Sequence, residues 1–257
     1  MKLCTIQSGL LEDIQEWVSD KTLPNSDLYL HTWKIKGNFE KLNEVEQKYS
    51  NFTKIKITTE KYSDKFVSLL PTFSNGLINL SDGFFQNQAF KKFAGIYSFY
   101  KAVQSIPSID EYNVILKAHF HLLDFNWSVP VDLNEEHLPY AINARQCYPL
   151  LESFKAADCV YARTTYRSYN QRIFYTSPQV IKKVFLKDER LFAKTIGICF
   201  DSIYRRTGIL GFEGDLLWQE LFNFHNVPVL EDGSIVEAPA TNGAQNITFE
   251  TLKKLEI

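Results

Sequence analysis

Apolar runs and stretches of helical period alternate along the first third of the chain. Leu3 to Gln7 has the continuous apolar character of a buried strand, and Ser8-Gly9 breaks it. Leu10, Leu11, Ile14, Trp17 and Val18 then recur at helical spacing, predicting a helix over 10–19 that Leu23-Pro24-Asn25-Ser26 ends. Asp27 to Trp33 predicts a second strand and Lys54 to Thr58 a third. Strand, helix, strand at this spacing implies parallel neighbours joined by a right-handed crossover.

Further on, Ser74 to Phe85, with Asn75-Gly76 and Asp82-Gly83, reads as a surface loop. A helix over 86–105 follows, with Phe90, Phe93, Tyr97, Tyr100 and Val103 on one face and Pro107 closing it. Asn113 to Ala118 is the clearest strand. It runs into His119-Phe120-His121, and a weakly periodic segment, Asp124 to Pro149, is expected to lie over the carboxyl edge of the sheet. Ser177-Pro178 opens a helix through Val180, Ile181, Val184 and Phe185. Two more helices are expected over 188–205 and 214–225, then an edge strand at Val227-Pro228-Val229-Leu230. No repeat, linker or low-complexity stretch interrupts the pattern. The expectation is one α/β domain, residues 1–257, with a mainly parallel central sheet flanked by helices.

Composition narrows the function classes. The net charge is −2 and Lys and Arg form no dense block, which argues against a generic nucleic-acid partner. An aromatic content of 14% supplies core volume and leaves rings for stacking on flat or ring-shaped ligands. Met1 to Ile6 runs straight into a strand without leader character, and no stretch of the sequence is apolar enough to span a membrane. Cys4, Cys147, Cys159 and Cys199 are scattered, as reduced thiols of a cytoplasmic protein would be.

Candidate chemistry gathers at the strand ends, where α/β sheets bind ligands. Gln7-Ser8-Gly9 could offer backbone N–H groups to a phosphate, or could be only a tight turn needing glycine. It is neither a P-loop nor a dinucleotide fingerprint. His31 and Trp33 close the second strand. Lys117, His119 and His121 close the fourth on one face, with Lys117 making that edge positive. The two imidazoles suit a divalent metal, with Asp124 or His137 as a third ligand, or else form a solvated rim. Glu213 and Asp215 stand at a helix start, where they cap the helix or serve as general base towards a sugar hydroxyl. Tyr161 to Tyr175, with Arg163, Arg167 and Arg172, reads equally as a diphosphate or sugar contact and as an exposed hairpin.

In order and spacing these segments resemble a family of bacterial and viral glycosyltransferase-like proteins of surface-polysaccharide synthesis. Ile6 to Gly9 resembles its opening strand and S-G turn, and Asp27 to Trp33 its "D-hydrophobic-hydrophobic-hydrophobic-H-T-W" strand. Tyr112 to Leu122 is similar to a strand normally ending in R-x-D, Phe174 to Val180 to a "G-S-P-E" helix start, and Glu213 to Leu217 to an "E-x-x-L" element. The resemblance implies a GT-A fold, with a nucleotide-sugar donor bound by about residues 1–125 and a glycan acceptor by about 126–257. It also implies a divalent cation held by aspartates at the departing diphosphate. Here the chain departs from the family: His119 replaces the arginine, His121 the aspartate, and Gln171 a second acid, while Glu12 stands where a basic residue is expected. A metal held by His121 would then be manganese rather than magnesium; otherwise Lys117 and other cations meet the leaving charge. Two functions stand: a glycosyltransferase with Glu213 or Asp215 as base, and an inactive carbohydrate- or protein-binding module on the same fold.

Overall fold

The structure is a computed structural model that describes residues 2–9, 26–34, 42, 52–61, 69, 83–118, 158–164, 169–207 and 214–231. Its strands are β1 (Leu3–Gly9), β2 (Ser26–Trp33), β3 (Lys54–Glu60), β4 (Val114–Ala118), β5 (Val160–Thr164), β6 (Tyr169–Thr176) and β7 (Val229–Glu231). The helices among the described residues are α1 (Gly83–Gln104), α2 (Pro178–Phe185), α3 (Glu189–Thr207) and α4 (Gly214–Phe224). The strands form one seven-stranded sheet in the order β3-β2-β1-β4-β6-β5-β7. Strands β1 to β4 run parallel, β5 and β7 run with them, and β6 alone opposes. The expected class, an α/β protein with a mainly parallel sheet flanked by helices, is the one observed.

Burial explains the order. Leu3 to Gln7 and all of β2 are buried, so these strands are covered on both faces, as parallel strands inside a sheet are. β3 alternates lysine and isoleucine and stays half-exposed, the chemistry of an edge. At the other edge β7 is three residues long, directly after Pro228, which has no N–H to give a ladder.

Alternation divides the side chains between two faces. Cys4, Ile6, Tyr29, Trp33, Ile115 and Phe174 join a core built with residues of all four helices. Thr5, Gln7, Leu28, Leu30, Thr32 and Leu116 point to the opposite face and are equally buried. Much of the aromatic content resides in that core. Phe99 meets Phe185 at 4.9 Å and Trp218 at 5.2 Å edge to face, and Tyr100 stacks on Phe192 at 4.4 Å.

The local signals for helix ends hold. Ser177 caps α2, its Oγ accepting from the Val180 N–H at 3.4 Å, with Pro178 in the first turn. Asp188 does the same for α3, Oδ1 accepting from the Arg190 and Leu191 N–H groups. α4 ends in a Schellman motif. Asn226 takes φ 51°, its N–H bonds the Asn223 carbonyl, and the Val227 N–H bonds the Phe222 carbonyl.

Three expectations need adjustment. α1 begins at Gly83, so the end of the expected loop is helix. β3 continues two residues past Thr58, to Glu60. The Tyr161–Tyr175 stretch is an antiparallel pair, β5 with β6, but it lies inside the sheet rather than exposed: Tyr175 is buried and stacks on Tyr161 at 5.2 Å. The expected helix at 10–19 and the segment 124–149 lie outside the described residues.

Candidate functional site

Strand β1 pairs with β2 on one side and β4 on the other. The chain therefore builds outward from β1 through β2 to β3, then returns to start the other half at β4. This is a topological switch point, the place where open α/β sheets bind ligands beyond their strand ends. Gln7, Ser8 and Gly9 stand at the carboxyl end of β1 and Lys117 near that of β4, with Ile6 and Lys117 in register.

Gly9 has φ 131°, a backbone setting that an L side chain rarely adopts, so glycine there follows from conformation. The Thr32 hydroxyl donates to the Gly9 carbonyl at 2.8 Å and ties the end of β2 to the turn. Ser8 and Gly9 are half-buried. Gln7 is wholly buried, and neither the nitrogen nor the oxygen of its amide has a hydrogen-bond partner.

His31 and Trp33 come to the same edge but from inside the protein. They are 1% and 3% exposed, so both are core side chains beneath the edge. The Ser98 hydroxyl donates to the His31 carbonyl at 3.2 Å and so takes the Nδ1 proton of the ring at 2.7 Å. That leaves Nε2 as a bare acceptor, 3.9 Å from Glu60 Oε2, and neither atom has a hydrogen-bond partner. Burial, assisted by the charge of Lys101, lowers the imidazole pKa to about 3. The ring is thus neutral at pH 7, and its approach to Glu60 is no ion pair.

Around this pair lies a polar corner that the sequence reading missed. Lys101 Nζ sits 3.4 Å from Glu60 Oε1 and 3.6 Å from Glu189 Oε1. The Tyr97 hydroxyl donates to that same Glu189 oxygen at 2.6 Å, and burial followed by this bond pushes the phenol well above its ordinary range. Tyr97 stacks on Trp33, and the Trp33 ring meets His31 edge to face at 5.5 Å. The strand period of Lys54 to Thr58 carried on to Glu60 would have been the one local signal for this corner.

Lys117 is 6% exposed, with Nζ 5.1 Å from the Trp218 ring centre and 5.7 Å from that of Phe174, its cross-strand partner. The aromatic faces stabilise the ammonium while the stem is buried. His119, His121 and Glu213 lie outside the described residues, and Asp215 is placed only as the second residue of α4. Among the described residues no group of three or more His, Cys, Asp or Glu side chains could hold a metal ion. The fit of a cation to His121 therefore rests on the sequence alone. No helix among the described residues is long and apolar enough to cross a membrane.

No protein-family model matches the chain, and no curated protein matches it. Among solved structures, the apo form of mouse xyloside xylosyltransferase 1 is similar over 90% of this chain and 84% of that one, with 9% identity and a TM-score of 0.44.

Proposed function

We propose that the chain is a glycosyltransferase that moves a sugar from a nucleoside-diphosphate donor to a hydroxyl of a glycan acceptor. The observation that carries this reading is the switch point between β1 and β4. It sets the Ser8-Gly9 end of β1, where the backbone takes a conformation suited to glycine, beside a strand that delivers a buried lysine. The resemblance of Ile6–Gly9, Asp27–Trp33 and Tyr112–Leu122 to glycosyltransferase-like proteins supplies the chemistry.

In this reading Ser8 and Gly9 receive the diphosphate and Lys117 offsets the charge that develops on it. His31 and Trp33 act from beneath the edge and hold it in shape. The acceptor hydroxyl oxygen bonds to the anomeric carbon as the bond from that carbon to the diphosphate oxygen breaks. The hydroxyl proton passes to a carboxylate, with Glu213 first in line and Asp215 second. His119 and His121, two and four residues after Lys117 in the sequence, complete the donor side in this reading, with or without manganese.

The departure at His119 and His121 from the family's R-x-D favours a second reading, a protein that binds a carbohydrate or another protein and no longer transfers. One experiment addresses both. Nucleoside diphosphates at about a hundred times their Kd are expected to stabilise the fold by about 2.7 kcal/mol, visible as a rise in Tm. Nucleotide-sugar hydrolysis or transfer under the same conditions then marks an enzyme. Binding without turnover marks the inactive module, and no rise with any nucleotide removes the glycosyltransferase reading.

A further inference from the structure

The Gln7 carboxamide is a costly polar group at the switch point. It is 0% exposed, and its donor and acceptor are both without partners. A buried amide in that condition is destabilising, and a Leu or Met of similar volume would fit the site better in the free protein. Gln7 is also the last wholly buried residue of β1 before the Ser8-Gly9 turn. It shares its sheet face with Gly9, about 7 Å further along the strand at the usual rise per residue. Gly9 has no side chain, so β1 itself puts nothing between the amide and the carboxyl edge. The Thr32 hydroxyl on that face is already committed to the Gly9 carbonyl.

We infer that Gln7 is the group that reads the donor's nucleobase, through the unpaired donor and acceptor of its buried amide on the Gly9 side of the sheet. This rests on the donor site proposed above and deepens it. A planar amide offering N–H and C=O side by side matches a planar ring edge with an acceptor beside a donor, which every nucleobase has and a diphosphate lacks. Phosphate recognition by the Ser8-Gly9 backbone and base recognition by Gln7 are thus separate functions of neighbouring residues.

The test compares wild type with Gln7→Leu, and with Gln7→Met should the first variant not fold. Two quantities are measured: the Tm of the free protein, and calorimetric affinities for uridine, guanosine, cytidine and adenosine diphosphates against inorganic pyrophosphate. The expected result is a free protein with raised Tm, at least one nucleotide bound about tenfold or more weakly than by wild type, and pyrophosphate affinity unchanged. A lowered Tm would show that the amide is satisfied within the protein and would overturn the inference. So would nucleotide affinities that the substitution leaves alone. If wild type binds pyrophosphate and nucleotides equally, only the base reading falls. If it binds no diphosphate at all, the donor site falls with it.

Discussion

Trp33 and Tyr97 stack with ring centres 5.9 Å apart and planes 14° from parallel, joining the end of β2 to the middle of α1. The Tyr97 hydroxyl carries the link on to Glu189 at the start of α3. Removing only that hydroxyl, in Tyr97→Phe, is expected to cost about 1.5–3 kcal/mol, the range for a hydrogen bond to a charged group. Trp33→Ala should cost more, about 3–5 kcal/mol, because it empties a well-packed site. Urea denaturation of the two variants measures the difference, and a Tyr97→Phe protein as stable as wild type would sever the link to α3.

Ser98 serves His31 twice, its hydroxyl accepting from the Nδ1–H and donating to the carbonyl. Ser98→Ala leaves a buried imidazole N–H unpaired. A loss of about 1–3 kcal/mol is expected, again read from the denaturation midpoint. A neutral outcome would show that the ring turns to find Glu60 instead.

The two histidines with lowered pKa set an acid limit on stability. His31 is lowered from 6.5 to about 3 and His225 to about 4, in both cases chiefly by burial. Between those values and 6.5 the unfolded chain binds protons that the native protein refuses. Stability is therefore complete above pH 6.5 and falls as the pH drops. The slope approaches about 1.4 kcal/mol per pH unit for each fully coupled histidine. His225 is partly exposed, so its share is smaller. His31→Asn should flatten the slope between pH 6.5 and 4, and a slope unchanged by that substitution would locate the acid sensitivity elsewhere.

Charge at the departing diphosphate separates two forms of the proposed chemistry. With Lys117 in that role, donor hydrolysis or transfer should survive excess chelator, and Lys117→Ala should lower kcat about 100-fold in protein shown by circular dichroism to be folded. Complete loss in chelator, restored by manganese and not by magnesium, would assign the charge to a cation on His121.

The strands at the centre were legible because a strand covered on both faces must be apolar nearly throughout, and Leu3–Ile6 and Val114–Leu116 are. The polar corner was not, because its members meet only through tertiary packing. Ser98 reaches His31 across 67 residues and Tyr97 reaches Glu189 across 92. Two polar side chains expected at the donor site by their place near strand ends, His31 and Gln7, are wholly buried: α1 closes over His31, and Gln7 sits inside the sheet. The Tyr161–Tyr175 stretch carried strand-forming residues, but only its register with β4 shows that it lies within the sheet.

The place of β1 at the switch point also bears on how the chain is made. One flank of β1 is filled by β2, but the other waits for β4, and Lys2 finds Asn113 only across 111 residues. At ordinary elongation rates that separation corresponds to roughly 6–20 s on the ribosome. For that interval the nascent chain carries a half-paired apolar strand whose open N–H and C=O groups could be taken by another chain. Co-translational misassembly, rather than the stability of the finished fold, is thus where the central strand is most vulnerable. A chaperone that shields nascent strands should matter more to the yield of this protein than to its activity once folded.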